Sequence, residues 1–176
     1  MKKGFAVLAF LCLWLMTSIV QPVHALEGAL SPAGKSFIKD AASVGMMEVR
    51  LGRVAQDKGN LQEVKSFGDR MVLEHSHTSQ ALNAIAVQRN LILPVQLERK
   101  HILMIARLSK LAGIEFDRKY MQTMVKNHLN SIALFKKALK KVQDPDLRAW
   151  TVATLPVLQH HLQMAQDVVQ KLDDHR

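Results

Sequence analysis

Four polar side chains that can bind a metal lie on stripes of otherwise apolar residues that recur at helical spacing. Neutral imidazole and carboxylate groups suit Zn²⁺, Fe²⁺, Mn²⁺ and Cu²⁺, whereas Ca²⁺ and Mg²⁺ prefer oxygen ligands alone. An unpaired carboxylate or imidazole in an apolar core is costly, so such residues must pair with one another, trap water or hold a cation. The four candidate metal ligands are Glu48, His75, His128 and His161.

A further carboxylate stands beside one of these histidines. Glu74 directly precedes His75 and is a candidate fifth ligand, or a carboxylate that orients a ligating imidazole. With His77 it completes a Glu-x-x-His pattern, which di-iron bundles carry on two of their helices. The pattern has no second copy here, because Leu158 lies three residues before His161. A carboxylate-rich di-iron ferroxidase is therefore disfavoured.

Two methionines and one tyrosine on the same stripes leave other chemistries open. Met71 and Met124 lie one helical turn before His75 and His128, and thioethers beside imidazoles suit Cu(I). Methionine is also a common filler of irregular helical cores, so packing explains both residues as well. Tyr120 is open to two interpretations, a capping hydrogen bond or a redox-active phenol.

A shared site for four ligands needs four converging helices, and the sequence contains four long stretches of helical periodicity. Each candidate ligand lies about 15 residues into its stretch. At about 1.5 Å per residue, the four side chains can meet in one layer. The predicted helices run from Ser31 to Gly59, from Asn60 to Asn90, from about Ile114 to Val142, and from Asp144 to Leu172.

The links between these helices differ greatly in length, and this difference predicts the topology. The first and last links are tight, whereas residues 91–112 form a connection with one short amphipathic helix that ends at Gly113. A link this long is unusual in a compact domain unless it crosses the bundle. One long crossover in the middle is typical of the ferritin-like arrangement. We therefore predict an all-α, ferritin-like four-helix bundle.

Local signals at the helix ends support these boundaries. Ser31 and Asp144 each precede a proline, which is typical of an N-cap followed by the first helical residue. Asn60 with Glu63 three residues later resembles a capping box. Asp117 lies in the first turn of its helix, where the helix dipole or a pairing with a nearby arginine explains a carboxylate.

The first 25 residues have the features of a secretory signal peptide. Two lysines precede an apolar run, and a small-x-small site ends at Ala25. We expect residues 26–176 to be one exported, periplasmic domain, with an uncleaved membrane anchor as a minor alternative. The single cysteine, Cys12, would be lost on cleavage. This excludes a disulfide scaffold, a thiolate zinc finger and a cysteine nucleophile from the mature domain.

The charge balance is basic, with 24 lysines and arginines against 15 acidic residues. Nucleic acid is not expected as a partner, because aromatic residues make up only 5% of the chain and the expected compartment is wrong. Phosphate loops, GxSxG elbows and HExxH motifs do not occur in the sequence. A basic patch near the end of the third predicted helix could make weak contact with anionic lipid or polysaccharide of the envelope; it comprises Lys136, Lys137, Lys140 and Lys141.

Five short motifs occur in an order and spacing that resemble one family of exported bacterial proteins. This resemblance covers about residues 33–172 and is to a domain-of-unknown-function family, often described as membrane or outer-membrane proteins and placed among ferritin-like bundles. It implies the fold and export, but no settled activity. The family's recurring Asp-His pairs correspond here to Glu74-His75 and Asn127-His128, and the second lacks a carboxylate. The motifs are Glu48–Gly52, Met71–His75, Phe116–Tyr120, Asn127–His128, and Leu155–Leu158 with His161.

Two functions of different classes follow from these observations. The first is an exported protein that binds one transition-metal ion or a pair at mid-bundle, Fe, Zn, Mn or Cu, for metal handling or stress protection. Reduction of peroxide or dioxygen at the same site is a weaker hypothesis. The second function is a non-catalytic envelope interaction module whose buried Glu–His layer is structural.

Overall fold

The computed structural model describes residues 30–174, in which five α-helices occur. The expected signal peptide and its cleavage site lie outside the described residues. Among residues 30–174, none of the helices is both long and apolar enough to span a membrane. The helices are α1 (Pro32–Lys58), α2 (Gln62–Gln88), α3 (Arg99–Leu108), α4 (Gly113–Leu139) and α5 (Pro145–Asp174).

The four long helices form two hairpins that pack side by side. α1 pairs with α2 and α4 pairs with α5, while α1 also packs on α4 and α2 on α5. The start of α2 is bonded to Asp117 at the start of α4. At the opposite end, Arg89 after α2 is paired with Asp144 just before α5. α2 and α4 are therefore parallel, and the link between them crosses the whole bundle as the ferritin-like prediction requires.

The crossover carries α3 along the outside of the seam between α1 and α4. Asn90 ends α2 in the left-handed region at φ 51°, and the amide of Leu91 then bonds to the carbonyl of Ala86 at 2.9 Å. Further along, Ser43 of α1 donates a hydrogen bond to Glu98 at 2.5 Å. His101 on the inner side of α3 is buried. The predicted short helix of the connection is thus confirmed.

Two separate apolar clusters form the core, one toward each end of the bundle. The first contains Phe37 and Phe135, whose rings meet edge to face at 5.2 Å. The second contains Phe67, Met71 and Met124. In α2, α4 and α5 the buried histidine lies between a residue of one cluster and a residue of the other. A polar layer therefore separates the two halves of the core.

The start of α2 is capped by a distant side chain and not by the predicted capping box. Asp117 is fully buried, and its two carboxylate oxygens accept hydrogen bonds from the amides of Asn60 and Leu61 at 2.9 and 2.8 Å. Leu61 is the N-cap residue, and no side-chain cap bond is made there. The predicted capping box of Asn60 and Glu63 was wrong, because the carboxylate of Asp117 from α4 accepts hydrogen bonds from the amides at this helix start.

The other two predicted caps are present. The Ser31 hydroxyl accepts a hydrogen bond from the amide of Gly34 at 3.1 Å, and Asp144 accepts one from the amide of Leu147 at 2.9 Å. Both satisfy amides of a first helical turn that have no partner within the helix. These bonds fix where α1 and α5 begin, and hence the position of the following residues along the bundle axis.

Candidate metal centre

Three of the candidate ligands meet at the centre of the bundle, one from each of three helices. His75 of α2, His128 of α4 and His161 of α5 each offer a ring nitrogen, and these nitrogens all lie within 4.8 Å of one another. The ring centroids are 5.2 to 5.8 Å apart. Around a tetrahedral Zn²⁺, bonds of about 2.0–2.1 Å place ligand nitrogens about 3.3 Å apart. Side-chain movements of up to about 1.5 Å would bring the three onto one ion.

The hydrogen bonds of two histidines determine which ring nitrogen remains available. Nδ1 of His128 lies 2.9 Å from the carbonyl oxygen of Met124. Since a carbonyl only accepts, Nδ1 must carry the proton and Nε2 keeps its lone pair. Nε2 of His161 donates to Glu74 at 2.9 Å, so Nδ1 of His161 is the free nitrogen. Both free nitrogens, and Nε2 of His75, are buried without a hydrogen-bond partner.

Glu74 accepts the hydrogen bond from Nε2 of His161, on the opposite side of the ring from the free nitrogen, and is not one of the grouped ligand residues. Its other oxygen accepts a hydrogen bond from Arg70 at 2.8 Å, one turn earlier on α2. Partial burial acts to raise the pKa of Glu74, but the bonds to His161 and Arg70 outweigh it and hold that pKa below its ordinary value. The carboxylate is thus charged and directs its lone pair at the imidazole. This is the arrangement that orients metal-bound histidines in many sites.

Burial keeps all three imidazoles neutral. Burial is the main cause that lowers the pKa of His75 well below its usual value, with the neighbouring His128 and His161 adding to the effect. Burial likewise lowers the pKa of His128 to about 4 and moves that of His161 downward. At neutral pH the three rings are therefore uncharged, which is the form that binds metals. In His128 and His161 the hydrogen bonds also leave the free nitrogen without a proton.

Glu48 lies in the interior of α1 but outside this compact group. Within residues 30–174, the metal-capable group whose ligand atoms fall within 4.8 Å of one another contains the three histidines and neither carboxylate. Glu48 is only 1% exposed, neither oxygen has a hydrogen-bond partner, and burial raises its pKa to about 8. Glu48 is therefore protonated at neutral pH. Burial of Tyr120, and to a smaller extent the ionised form of Glu48 at higher pH, raises the pKa of Tyr120 well above the usual value.

The unpartnered polar atoms of the described chain are concentrated in this layer. Residues 30–174 contain seven buried side-chain nitrogen or oxygen atoms without a partner, and five of them belong to Glu48 and the three histidines. Buried polar groups are normally hydrogen-bonded, so such a concentration requires an explanation. An ion, or water, held between these side chains would supply the missing interactions.

Two features around the histidines could not be located from the sequence. Phe67 packs its ring 6.3 Å from His128 and 6.5 Å from His161, between centroids, and closes one side of the cluster. On another side, a cavity of about 20 Å³ borders His75 and is also lined by Gly45 and Ser79. One water needs about 10–15 Å³ by this measure. The only sequence signal for Phe67 is its position two turns before His75.

The fold and the site define a ferritin-like helical bundle with three histidines gathered at its centre. The chain belongs to the family described as Domain of unknown function (DUF4142), whose model matches residues 20–168. No curated protein matches the chain. A crystal structure of a DUF305 fragment from Deinococcus radiodurans is similar, with a TM-score of 0.73 at 12% identity over 81% of this chain and 99% of that one. At this identity the likeness shows the fold alone.

Proposed function

We propose that the protein binds one transition-metal ion through His75, His128 and His161 and serves in metal handling or stress protection. The observation that carries this proposal is that the three buried histidines bring ring nitrogens within 4.8 Å of one another. Each of these histidines also has a buried ring nitrogen without a hydrogen-bond partner. Two of the three histidines are also oriented by a hydrogen bond on the opposite ring nitrogen. Such preorganised neutral imidazoles favour Zn, Fe, Mn or Cu.

The rival interpretation, a purely structural Glu–His layer, requires these side chains to satisfy one another. Among the described residues, no hydrogen bond joins any two of the three histidines or joins one of them to Glu48. A layer left unsatisfied costs stability, whereas a cation bound between the three histidines would compensate their free lone pairs. The pattern of missing bonds therefore supports a metal site over a closed hydrogen-bond layer.

Glu48 would complete the coordination sphere from α1, the long helix that contributes no histidine. Its carboxyl is protonated in the metal-free protein because burial raises its pKa to about 8. A cation nearby favours the ionised form, so metal binding would release this proton and draw the carboxylate toward the ion. Glu74 would stay in contact with His161 and act by orienting that ring.

We further propose that the domain works in the periplasm after removal of residues 1–25. The basic start, the apolar run and the small-residue site at Ala25 support this proposal. The mass of the protein recovered from a periplasmic extract tests it. A chain that begins at Leu26 supports the proposal, and an intact chain retained with the membrane fraction contradicts it.

The metal content of protein purified from the periplasm tests the site directly. We expect about one ion per chain in the wild type and a loss of that ion in His75→Ala and His128→Ala. His77→Ala and His160→Ala are matched controls, because both histidines neighbour the cluster in sequence but are exposed. Both controls should retain the ion.

A melting experiment on the same proteins can contradict the proposed metal site. A ligand that binds only the folded state raises stability as its concentration rises. If the wild type is free of metal and its melting temperature does not change with added Zn²⁺, Fe²⁺, Mn²⁺ or Cu²⁺, the structural interpretation replaces the metal site.

A further inference from the structure

A groove of about 620 Å³ lies outside the bundle core, where the crossover passes over α1 and α4. Pockets that bind small molecules usually measure about 300–1,000 Å³, so the groove is of ligand size. It is lined by Val44 and Met47 on α1, by Lys100, His101 and Met104 on α3, and by one face of α4 between Lys119 and Leu134. The three histidines of the metal centre do not line it.

The charge of the groove is entirely positive. Its walls carry Lys100, Lys119 and Lys126, and none of its lining residues is acidic. Lys100 is paired with Glu98 at 2.8 Å, whereas no carboxylate of residues 30–174 lies within 4.0 Å of either other lysine. Lys119 and Lys126 are two turns apart on the same face of α4. Two unpaired ammonium groups beside a groove attract an anion.

The floor of the groove is apolar but contains a poorly satisfied amide. Asn127 is only 8% exposed, and its Nδ2 meets the sulfurs of Met47 and Met104 at 3.8 and 3.7 Å. A thioether is a weak acceptor, so this amide would bond more strongly to an oxygen. His101, on the same wall, is 4% exposed and keeps Nδ1 without a partner. The floor thus places the two methionine side chains beside an amide and an imidazole nitrogen that can still form hydrogen bonds.

From these observations we propose that the groove binds a small amphipathic carboxylate. Its head group lies between Lys119 and Lys126 and accepts a hydrogen bond from Asn127, while a short alkyl tail covers Met47 and Met104. Apolar contact provides part of the affinity, and the two ammonium groups select a negative head over a positive one. This site does not depend on the metal centre, and a His128→Ala protein should bind the same ligand equally well.

Two amphiphiles with the same tail and opposite charge test the proposal by calorimetric titration below their micelle concentrations. We expect decanoate to bind the exported protein at least about tenfold more tightly than decyltrimethylammonium, because partly exposed charge pairs each contribute a few-fold. The Lys119→Gln/Lys126→Gln protein should lose about tenfold in affinity for decanoate. The matched control is Lys136→Gln/Lys140→Gln, which removes the same net charge at the C-terminal end of α4, outside the groove, and should retain the affinity.

A second pair of variants separates filling of the groove from loss of charge. Asn130 is exposed and lines the groove, so Asn130→Trp should block decanoate without disturbing the core. Leu129→Trp places the same ring one residue away, outside the lining residues, and should leave binding intact. Equal binding of the two amphiphiles overturns the proposal. So does an unchanged decanoate affinity in both Lys119→Gln/Lys126→Gln and Asn130→Trp, when circular dichroism shows that both variants keep their helices.

Discussion

His161 and His128 show how a single hydrogen bond decides which nitrogen a histidine can offer. The carboxylate of Glu74 fixes a proton on Nε2 of His161, whereas a main-chain carbonyl fixes it on Nδ1 of His128. The two rings therefore keep different nitrogens, Nε2 of His128 and Nδ1 of His161, free for a metal. Only Glu74 among these partners is a side chain, so it is the one that substitution can remove without moving the backbone.

The first prediction concerns this carboxylate. Glu74→Ala should weaken metal binding about 10- to 100-fold, because the ring of His161 loses the partner that orients it. Competition against a chromogenic chelator measures the change. Glu115→Ala, at an exposed carboxylate on α4, should leave the affinity unchanged. Wild-type affinity in Glu74→Ala would show that Glu74 has no orienting role.

The second prediction concerns the pH dependence of the metal-free protein. The pKa of His128 is about 4 when folded, below its usual 6.5, so between these values the unfolded chain binds more protons and stability falls as the pH falls. The pKa of Glu48 is about 8 when folded, above its usual 4.5, so stability falls as the pH rises through this window. We expect urea titrations to give a maximal free energy of unfolding near about pH 6.

A variant of Glu48 isolates the alkaline side of that profile. Glu48→Gln cannot ionise, so it should abolish the loss of stability between about pH 6 and 8, which for a folded pKa of about 8 is on the order of 2–3 kcal/mol. Below about pH 4.5, where the profile arises from the histidines, it should be unchanged. Between about pH 4.5 and 6.5 stability should rise more steeply with pH, because the opposing titration of Glu48 is absent. An alkaline slope that is the same in Glu48→Gln and the wild type would contradict the burial of an unpaired carboxyl at this position.

At the scale of the helices, Asp117 links elements that are distant in sequence. It belongs to α4 but caps the start of α2, so it fixes the relative position of these two parallel helices along the bundle axis. Asp117→Ala would leave two amides at the α2 start without their charged acceptor. The third prediction is a loss of about 2–3 kcal/mol in urea unfolding, against little change in the neighbouring Glu115→Ala. A loss below about 0.5 kcal/mol would mean that water replaces the cap.

The closest approach of α1 and α2 depends on two glycines. A Cβ on Gly68 would lie 2.7 Å from the carbonyl oxygen of Gly52, which is shorter than any normal contact. The fourth prediction is that Gly68→Ala destabilises by about 1–3 kcal/mol, although alanine is otherwise the better helix former. Gly34→Ala is the control, because its Cβ would meet only Leu30 and Ser31 side chains at 3.4 Å or more. Thermal melts of both variants decide the matter, and equal melting temperatures would exclude a tight crossing.

The elements were more predictable from the sequence than the contacts between them. Four apolar stripes, tight outer links and a long inner link predicted the helices and the crossover, since periodicity and chain length are local properties. The cap from Asp117 was missed because its partners are more than 50 residues away. The gathering of three histidines without Glu48 also could not be predicted, because spacing fixes the height of a side chain but not its rotamer or the rotation of its helix.

Over the whole molecule, the polar layer separates two apolar clusters, and three of the four long helices contribute a histidine to it. An ion bound there would connect α2, α4 and α5 at mid-length. The fifth prediction is that added metal slows hydrogen exchange of amides around His75, His128 and His161 and leaves α3 unchanged, because α3 lies outside the bundle. Uniform slowing across all helices, α3 included, would indicate global stabilisation without a local site.

The crossover also determines where the chain leaves the bundle. Leu30 packs near Leu147 at one end, while Asp173 is joined to Arg118 at the other, so residues 30 and 174 depart from opposite poles. A helix of 27 residues is about 40 Å long. A fluorescent tag fused behind the last helix would thus stand roughly 40 Å from any surface that holds the beginning of the domain.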